Sequence, residues 1–268
     1  MISLEHSYGP LITNVQRAMS LLIKEIKAKS ILSKTGIPGA HYSINPYTGC
    51  SHGCRYCYAS FMKRFTNHSE PWGSFVDVKI NAPDILKRQI KKSRKGTIVI
   101  SSVTDPYQPL EVRYELTRKC LEELLPYQFS VDILTKSPLV QRDIDLFKQF
   151  KDIEVGITIT TNDERMREIF EPNAPPIEAR IRTIKKLHAA RIKTYAFIGP
   201  LLPMKPEILC EKLAGSVDYV FIDRMNYIMK TLALYKRSKL DAWLDREFLD
   251  EIVERLEHGF KGKQVHVC

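Results

Sequence analysis

Three cysteines, Cys50, Cys54 and Cys57, stand in the run Asn45-Pro-Tyr-Thr-Gly-Cys-Ser-His-Gly-Cys-Arg-Tyr-Cys-Tyr58, with the spacing C-x3-C-x2-C. Three thiolates can hold three irons of a cubic [4Fe–4S] cluster and leave the fourth iron without a protein ligand. Electron-transfer clusters normally close all four positions with cysteine. The next cysteine along the chain is Cys120, so the motif argues for chemistry at an open iron. Two other readings of the same residues stand beside this one. A structural zinc site takes four Cys or His ligands, and His52 could complete such a set; the thiols could also carry no metal. Gly49 and Gly53 favour the cluster, because a loop wrapped around an inorganic cube needs close backbone approach and unusual dihedrals.

Something must hold these thiols in place, and the rest of the chain supplies a repeating pattern. Short β-branched apolar runs occur at Tyr42–Tyr47, Thr97–Val103, Ser130–Thr135, Glu154–Thr160, Lys193–Ile198 and Asp218–Ile222. Amphipathic stretches separate them: Pro83–Arg94, Leu116–Leu125, Leu139–Phe150, Ile177–Ala190 and Pro206–Leu213. Strand–helix alternation predicts parallel βαβ units. Six units predict an α/β fold of the partial (βα)6 TIM-type barrel kind; an open doubly wound sheet is the alternative. In either, chemistry gathers at the C-terminal ends of the strands. The cysteines follow the first run. Ser102, Thr104 and Asp105 end the second, Lys136 and Ser137 the third, Thr160, Thr161 and Asn162 the fourth, and Gly199 and Pro200 follow the fifth. The expected organisation is a single domain. Residues 1–40 form an N-terminal extension with a helix around Ile12–Ile31, and residues 41–225 the barrel core. Residues 226–268 hold a closing helix over Leu240–Leu256 and a poorly ordered tail at Lys261–Cys268.

Forty-four per cent of the 268 residues are hydrophobic and 27% charged, ordinary values for a globular chain. No apolar run approaches about 18 residues, so no membrane span is expected. The first ten residues lack a basic segment followed by an apolar stretch, the form of a secretory signal. With six cysteines, three of them tightly spaced, this predicts a reducing, cytoplasmic setting rather than a disulfide scaffold. Lysine and arginine outnumber the acids 41 to 31, a net +10. Such a surplus attracts polyanions and makes nucleic acid a candidate partner; the plainer reading is solvated helix faces.

The cysteine motif resembles the signature of radical S-adenosylmethionine (SAM) enzymes. In that superfamily the open iron chelates SAM, and the reduced cluster cleaves it to methionine and a 5′-deoxyadenosyl radical that abstracts a hydrogen atom from substrate. Further segments narrow the likeness: Lys24–Leu32 with Gly36-Ile-Pro-Gly39, Thr104-Asp-Pro-Tyr-Gln-Pro-Leu-Glu111, Leu134-Thr-Lys-Ser-Pro-Leu-Val-Gln-Arg-Asp143, and Glu171-Pro-Asn-Ala-Pro-Pro176 with Arg180. Together they resemble the spore-photoproduct-lyase-like, or "DNA repair photolyase", branch over about residues 24 to 200.

The resemblance implies a lyase-like or modifying enzyme with a [4Fe–4S] cluster on Cys50, Cys54 and Cys57, and SAM as second cofactor. It implies that Tyr56 and Tyr58 meet the adenine, Ser102 and Thr104 the methionyl amino end, Asp105 the ribose, Lys136 the methionyl carboxylate, and Thr160 the same region. Plainer roles stand beside several of these: Asp105 capping the turn before Pro106, and Arg180 pairing with Glu171 or Glu178. An electron donor such as flavodoxin or ferredoxin is implied as a partner. One departure matters. Spore photoproduct lyase proper carries a hydrogen-donating cysteine near the end of the second strand, where this chain reads Ser101-Ser-Val-Thr-Asp105. Cys120 and Cys210 read as helix core residues, and Cys268 as a terminal thiol able to fold back. Nucleic acid, a small metabolite or a peptide remain as substrate classes, with a non-catalytic iron–sulfur protein as the non-enzyme alternative.

Overall fold

The computed structural model describes residues 21–268. In chain order its strands are β1 (Leu22–Ile26), β2 (Leu32–Lys34), β3 (Tyr42–Ile44), β4 (Tyr47–Thr48), β5 (Phe75–Lys79), β6 (Thr97–Ile100), β7 (Ser130–Thr135), β8 (Ile153–Thr158), β9 (Lys193–Ile198), β10 (Tyr219–Ile222) and β11 (Gln264–Val267). The helices are α1 (Ala82–Ile90), α2 (Glu111–Tyr114), α3 (Leu116–Leu124), α4 (Ile144–Phe147), α5 (Glu164–Phe170), α6 (Ile177–Ala189), α7 (Pro206–Leu213), α8 (Ile228–Arg237) and α9 (Arg246–Gly259).

The main sheet runs β11-β10-β9-β8-β7-β6-β3-β2. Its six central strands, β3 and β6 to β10, are parallel and neighbour one another in chain order. These are the six runs expected from the sequence. A doubly wound sheet reverses its strand order at a switch point; the order here does not reverse, which is the arrangement of a barrel wall. β2 adds antiparallel at one edge and β11 parallel at the other, and among the described residues no ladder joins the two edges. A second sheet, β1-β5-β4, flanks the cysteine loop.

Period-two alternation sorts the side chains. Along β7, Val131 and Ile133 turn into the main apolar core, while Asp132 and Leu134 turn to the other face. That inner face is filled by polar and aromatic groups. Tyr195 donates a hydrogen bond to Asp132 (2.8 Å) and stacks on Tyr219, and Phe221 stacks on His266. One step further along the strands, Leu134, Thr158 and Phe197 of the same face border an open cavity. The aromatic stack thus floors the cavity, and the strand ends rim it.

Two expectations at the ends of the chain are corrected. Of the predicted helix Ile12–Ile31, residues 12–20 lie outside the described residues, and Leu22–Ile26 is the strand β1, paired in parallel with β5. The Lys261–Cys268 tail is ordered as β11, with Val265 and Val267 in register with Val220 and Ile222. The closing helix begins later than expected, at Arg246, where the Asp245 side chain accepts from the Phe248 N–H (2.9 Å). This caps one of the free donors of its first turn. Among the described residues no helix is long and apolar enough to cross a membrane.

Candidate active site

All three motif cysteines border the cavity at the C-terminal ends of the strands, a space of about 310 Å³. This lies at the lower end of the ~300–1,000 Å³ typical of small-molecule sites. The cysteine loop is built against it by specific contacts. The Thr104 hydroxyl and the Gln108 amide both donate to the Gly49 carbonyl, at 2.6 and 3.3 Å. The Gln108 carbonyl oxygen accepts from the Ser51 N–H (3.0 Å). From the other side Asn173 donates to the Ser51 and His52 carbonyls, and the Arg55 N–H donates to Phe170. Gly49 and Gly53 have φ of +91° and +58°, the left-handed region open to glycine. A Cβ on Gly49 would stand 2.4 Å from the Phe75 carbonyl oxygen. The loop can lie this close to β5 only without a side chain there.

Cys50 and Cys54 are buried and Cys57 is partly so. Burial, reinforced by the nearby Asp105 carboxylate, pushes the Cys50 thiol up to about 12. Burial also raises Cys54 and Cys57, against the opposing pull of Lys136. Two buried thiols and a half-buried one in one site become thiolates when a cationic centre offsets that cost, and the donor set fits a multi-iron cluster. Among the described residues no three Cys, His, Asp or Glu side chains close around a point the size of one ion; the thiols border a wider space. Polar atoms on its wall await a partner. The buried Ser101 hydroxyl and both ring nitrogens of His52 make no hydrogen bond, although His52 Nε2 stands 3.3 Å from an Asp105 oxygen. Buried polar groups are ordinarily satisfied, so a polar occupant suits this wall.

Of the residues assigned to SAM, Tyr56, Tyr58, Ser102, Thr104, Asp105 and Lys136 all border the cavity. Their side chains are not equally free. Both oxygens of Asp105 are engaged within the protein, by the Thr135 hydroxyl (2.6 Å) and by the Tyr107 and Lys136 N–H groups (2.9 and 2.8 Å). Burial alone would raise this carboxyl, but His52 and those bonds hold it well below the usual range. The turn-capping role is therefore the one Asp105 performs here. Thr104 is spent on the loop. Ser102 accepts from the Asn45 amide (3.2 Å), and Tyr58 donates to the Ser102 carbonyl. Thr160 does not reach the cavity surface. It is fully buried and donates to Glu171 (3.1 Å), and Thr158 lines the wall instead.

The centre of this support is Glu171, a residue that sequence reasoning named only as a partner for Arg180. Its buried carboxylate accepts from Tyr56, Thr160 and Arg180, and Lys136 Nζ lies 3.9 Å away. Burial would raise it; Arg180 and Lys136 outweigh that and hold it at about 2. Arg180 is thus committed to structure, while Glu178 pairs with Lys212. Lys136 is no surface lysine: its side chain is 15% exposed and its ammonium sits 5.8 Å over the Tyr56 ring. A second buried set holds the strand-end loop from beneath. Glu111 accepts from Tyr47, Arg142 and the Thr117 N–H, and Asp143 from Tyr107, Arg118 and Arg142. The far wall of the cavity, Asp223 to Tyr227 after β10, also escaped the sequence reading; the strand-end rule applied to the sixth run would have pointed to it. Cys120 and Cys210 are buried core residues, as expected. Cys268 is exposed at the end of β11, where its N–H donates to Ile222 beside Asp223 (2.9 Å).

The family model of the Radical SAM superfamily matches residues 44–208, from β3 to α7 and across the whole cysteine loop. The chain belongs to the radical SAM superfamily. An uncharacterized protein of Methanocaldococcus jannaschii is 47% identical over 181 residues, 68% of each chain. A radical SAM Nalpha-GlyT isomerase of Pseudomonas phage M6 is 25% identical over 160 residues, 59% of this chain and 32% of that one. Among solved structures, spore photoproduct lyase complexed with dinucleoside spore photoproduct superposes with a TM-score of 0.69 at 16% identity, covering 92% of this chain and 82% of that one. At that identity the likeness is one of fold, and it agrees with the sequential parallel sheet of this radical SAM domain.

Proposed function

We propose that this radical SAM enzyme holds a [4Fe–4S] cluster on Cys50, Cys54 and Cys57 and SAM in the adjoining cavity. Its reaction is the removal of a hydrogen atom from a nucleic-acid substrate. The observation that carries the reading is convergence. Three thiols with no fourth cysteine nearby share one cavity with Ser102, Thr104 and Lys136 at the parallel strand ends. When bound, the two cofactors supply a one-electron route to breaking an unactivated C–H bond.

The protein's own part is binding, orientation and exclusion of water. Lys136 brings a buried ammonium to the cavity wall, suited to a carboxylate. Glu171 fixes Lys136 and Tyr56 relative to each other, and Arg180 keeps that carboxylate charged. Ser101 Oγ and His52 Nδ1 offer unpaired polar atoms to a polar ligand. The aromatic stack lies beneath Leu134, Thr158 and Phe197, on the side of the cavity away from the strand ends. The nucleic-acid part rests on the surplus of positive charge. Anaerobic reconstitution, followed by addition of SAM and a strong reductant, tests the core of the proposal. The expected product is 5′-deoxyadenosine, and a chain that takes up four irons yet leaves SAM intact would argue against it.

A further inference from the structure

Beside the cavity mouth lies a strip of exposed rings, of which the cofactor reading uses only Tyr58. Tyr227, Tyr58, Phe61 and Phe65 are 51%, 43%, 37% and 72% exposed. They form a continuous chain. Tyr227 and Tyr58 are near-parallel with centroids 6.2 Å apart, Tyr58 and Phe61 near-parallel at 6.5 Å, and Phe65 meets Phe61 edge-on at 6.3 Å. Three of the four come from one 3₁₀ segment, Tyr58–Phe65, in which Tyr58 and Phe61, three residues apart, lie above one another and Phe65 meets Phe61 edge-on. Tyr58 and Tyr227 border the cavity, while Phe61 and Phe65 lead away from it.

The two segments that carry the strip are basic: residues 55–66 and 224–230 contain Arg55, Lys63, Arg64, Arg224 and Lys230 and no acid. Arg224 is paired with Asp250, and Glu70 and Asp77 share a surface pocket with Phe65, which leaves Arg64 and Lys230 as the cations set directly against the rings. Arg64 sits over the Phe61 ring at 5.8 Å and Lys230 over Tyr227 at 5.4 Å. Lys230 also ties the strip to the cluster loop, donating to the Cys57 carbonyl (2.8 Å). Exposed apolar patches rimmed by polar residues mark interaction sites. Unpaired nucleotides match both features with every unit of the chain, the bases on π-faces and the phosphates on cations.

We infer that this strip is the platform on which a single-stranded segment of nucleic acid stacks, feeding one unpaired base into the cavity. The inference rests on the nucleic-acid reading above and specifies its form. A base inside a duplex stack cannot reach atoms recessed at the strand ends and must be extruded or already unpaired. The rings have faces to offer only to unpaired bases.

The test is fluorescence anisotropy of the full chain with labelled oligothymidylate, oligouridylate and a hairpin duplex of equal length, at low and physiological salt. Tighter binding of the single strands than of the duplex is expected. Phe65→Ala should weaken single-strand binding by roughly 5- to 150-fold, the loss of one stacked base, and Phe65→Trp should restore it. Arg64→Gln should flatten the salt dependence by about one phosphate contact. Neither Phe61 nor Phe65 borders the cavity, so Phe61→Ala and Phe65→Ala should both still cleave SAM, and Ile208→Ala, exposed on α7, serves as a surface control. Equal affinity for duplex and single strand, or indifference to the rings, would overturn the platform while leaving nucleic acid as substrate. No binding to any of the three at low salt would overturn both.

Discussion

Replacing Glu171 by glutamine is the sharpest probe of the buried network that holds the cavity wall. The change keeps the shape of the side chain and removes its charge. Arg180 and Lys136 are then left as two cations with no counter-ion, Arg180 fully buried and Lys136 nearly so. The gap between the ordinary 4.5 and about 2, at ~1.36 kcal/mol per pH decade, corresponds to about 3 kcal/mol. That agrees with the ~3–5 kcal/mol typically lost when one partner of a buried pair is removed. The sign with pH follows from the lowered value. The stabilisation is fully present above about 4.5 and is lost as pH falls toward about 2. Urea unfolding followed by tryptophan fluorescence should therefore show Glu171→Gln less stable by about 3 kcal/mol at pH 7. The deficit should stay constant down to about pH 4.5 and shrink below it. Replacing both members of the pair, Glu171→Leu with Arg180→Met, should leave much of the deficit in place, because Lys136 and the Tyr56 and Thr160 hydroxyls would still lack their acceptor. A deficit that is absent at pH 7, or that grows as the pH falls, would refute the reasoning.

Other outcomes follow from the same geometry. Lys136→Ala should weaken SAM binding by about 1.5–3 kcal/mol, the scale of a charge-assisted hydrogen bond; an unchanged equilibrium titration would remove Lys136 from the ligand set. Asp132 is raised by burial, and further by Glu154, to about 6 despite its bond from Tyr195. Its folded value lies above its unfolded one, so stability should fall as pH rises from about 4 through 6, by up to about 3 kcal/mol. Asp132→Asn should flatten that slope, and superimposable pH–stability curves for the two proteins would contradict the assignment. With serine at position 102, the unmodified chain should not repair a spore-photoproduct substrate, whereas Ser102→Cys should gain repair; thiol-independent repair by the unmodified protein would show the departure to be unimportant.

Much of the site was legible because its logic is local. The thiol spacing, the two left-handed glycines and the polar residues at strand ends all lie within short stretches whose pattern carries meaning. The six central strands were legible for the same reason: β-branched runs such as Thr97–Ile100 and Ser130–Thr135 pair with their immediate successors. Non-local partners hid the rest. Leu22-Ile-Lys-Glu-Ile26 has the composition of a helix and is a strand because β5, far along the chain, offers an edge. Gln264–Val267 looks like a frayed end until β10 pairs with it. Glu171 reads as the polar end of a helix. Its weight comes from Tyr56, Lys136 and Arg180, which the fold brings together from three separate loops and helices. Asp105 and Thr104 stand where a ligand contact is expected, yet their hydroxyl and carboxylate are used to build the loop. A strand-end position identifies a residue's neighbourhood without saying whether its side chain faces the ligand or the scaffold.

The central claim is an iron–sulfur cluster held by three cysteines with one iron left open to SAM. Anaerobic reconstitution of the full chain, with iron and sulfide quantified and the reduced cluster followed by electron paramagnetic resonance, addresses it directly. Four irons per chain are expected, with a spectrum that changes when SAM is added. Loading should be abolished by Cys50→Ala, Cys54→Ala or Cys57→Ala and untouched by Cys120→Ala, Cys210→Ala or Cys268→Ala. Stoichiometric zinc in anaerobically prepared protein, loss of the cluster on replacing His52, or a spectrum indifferent to SAM would contradict it.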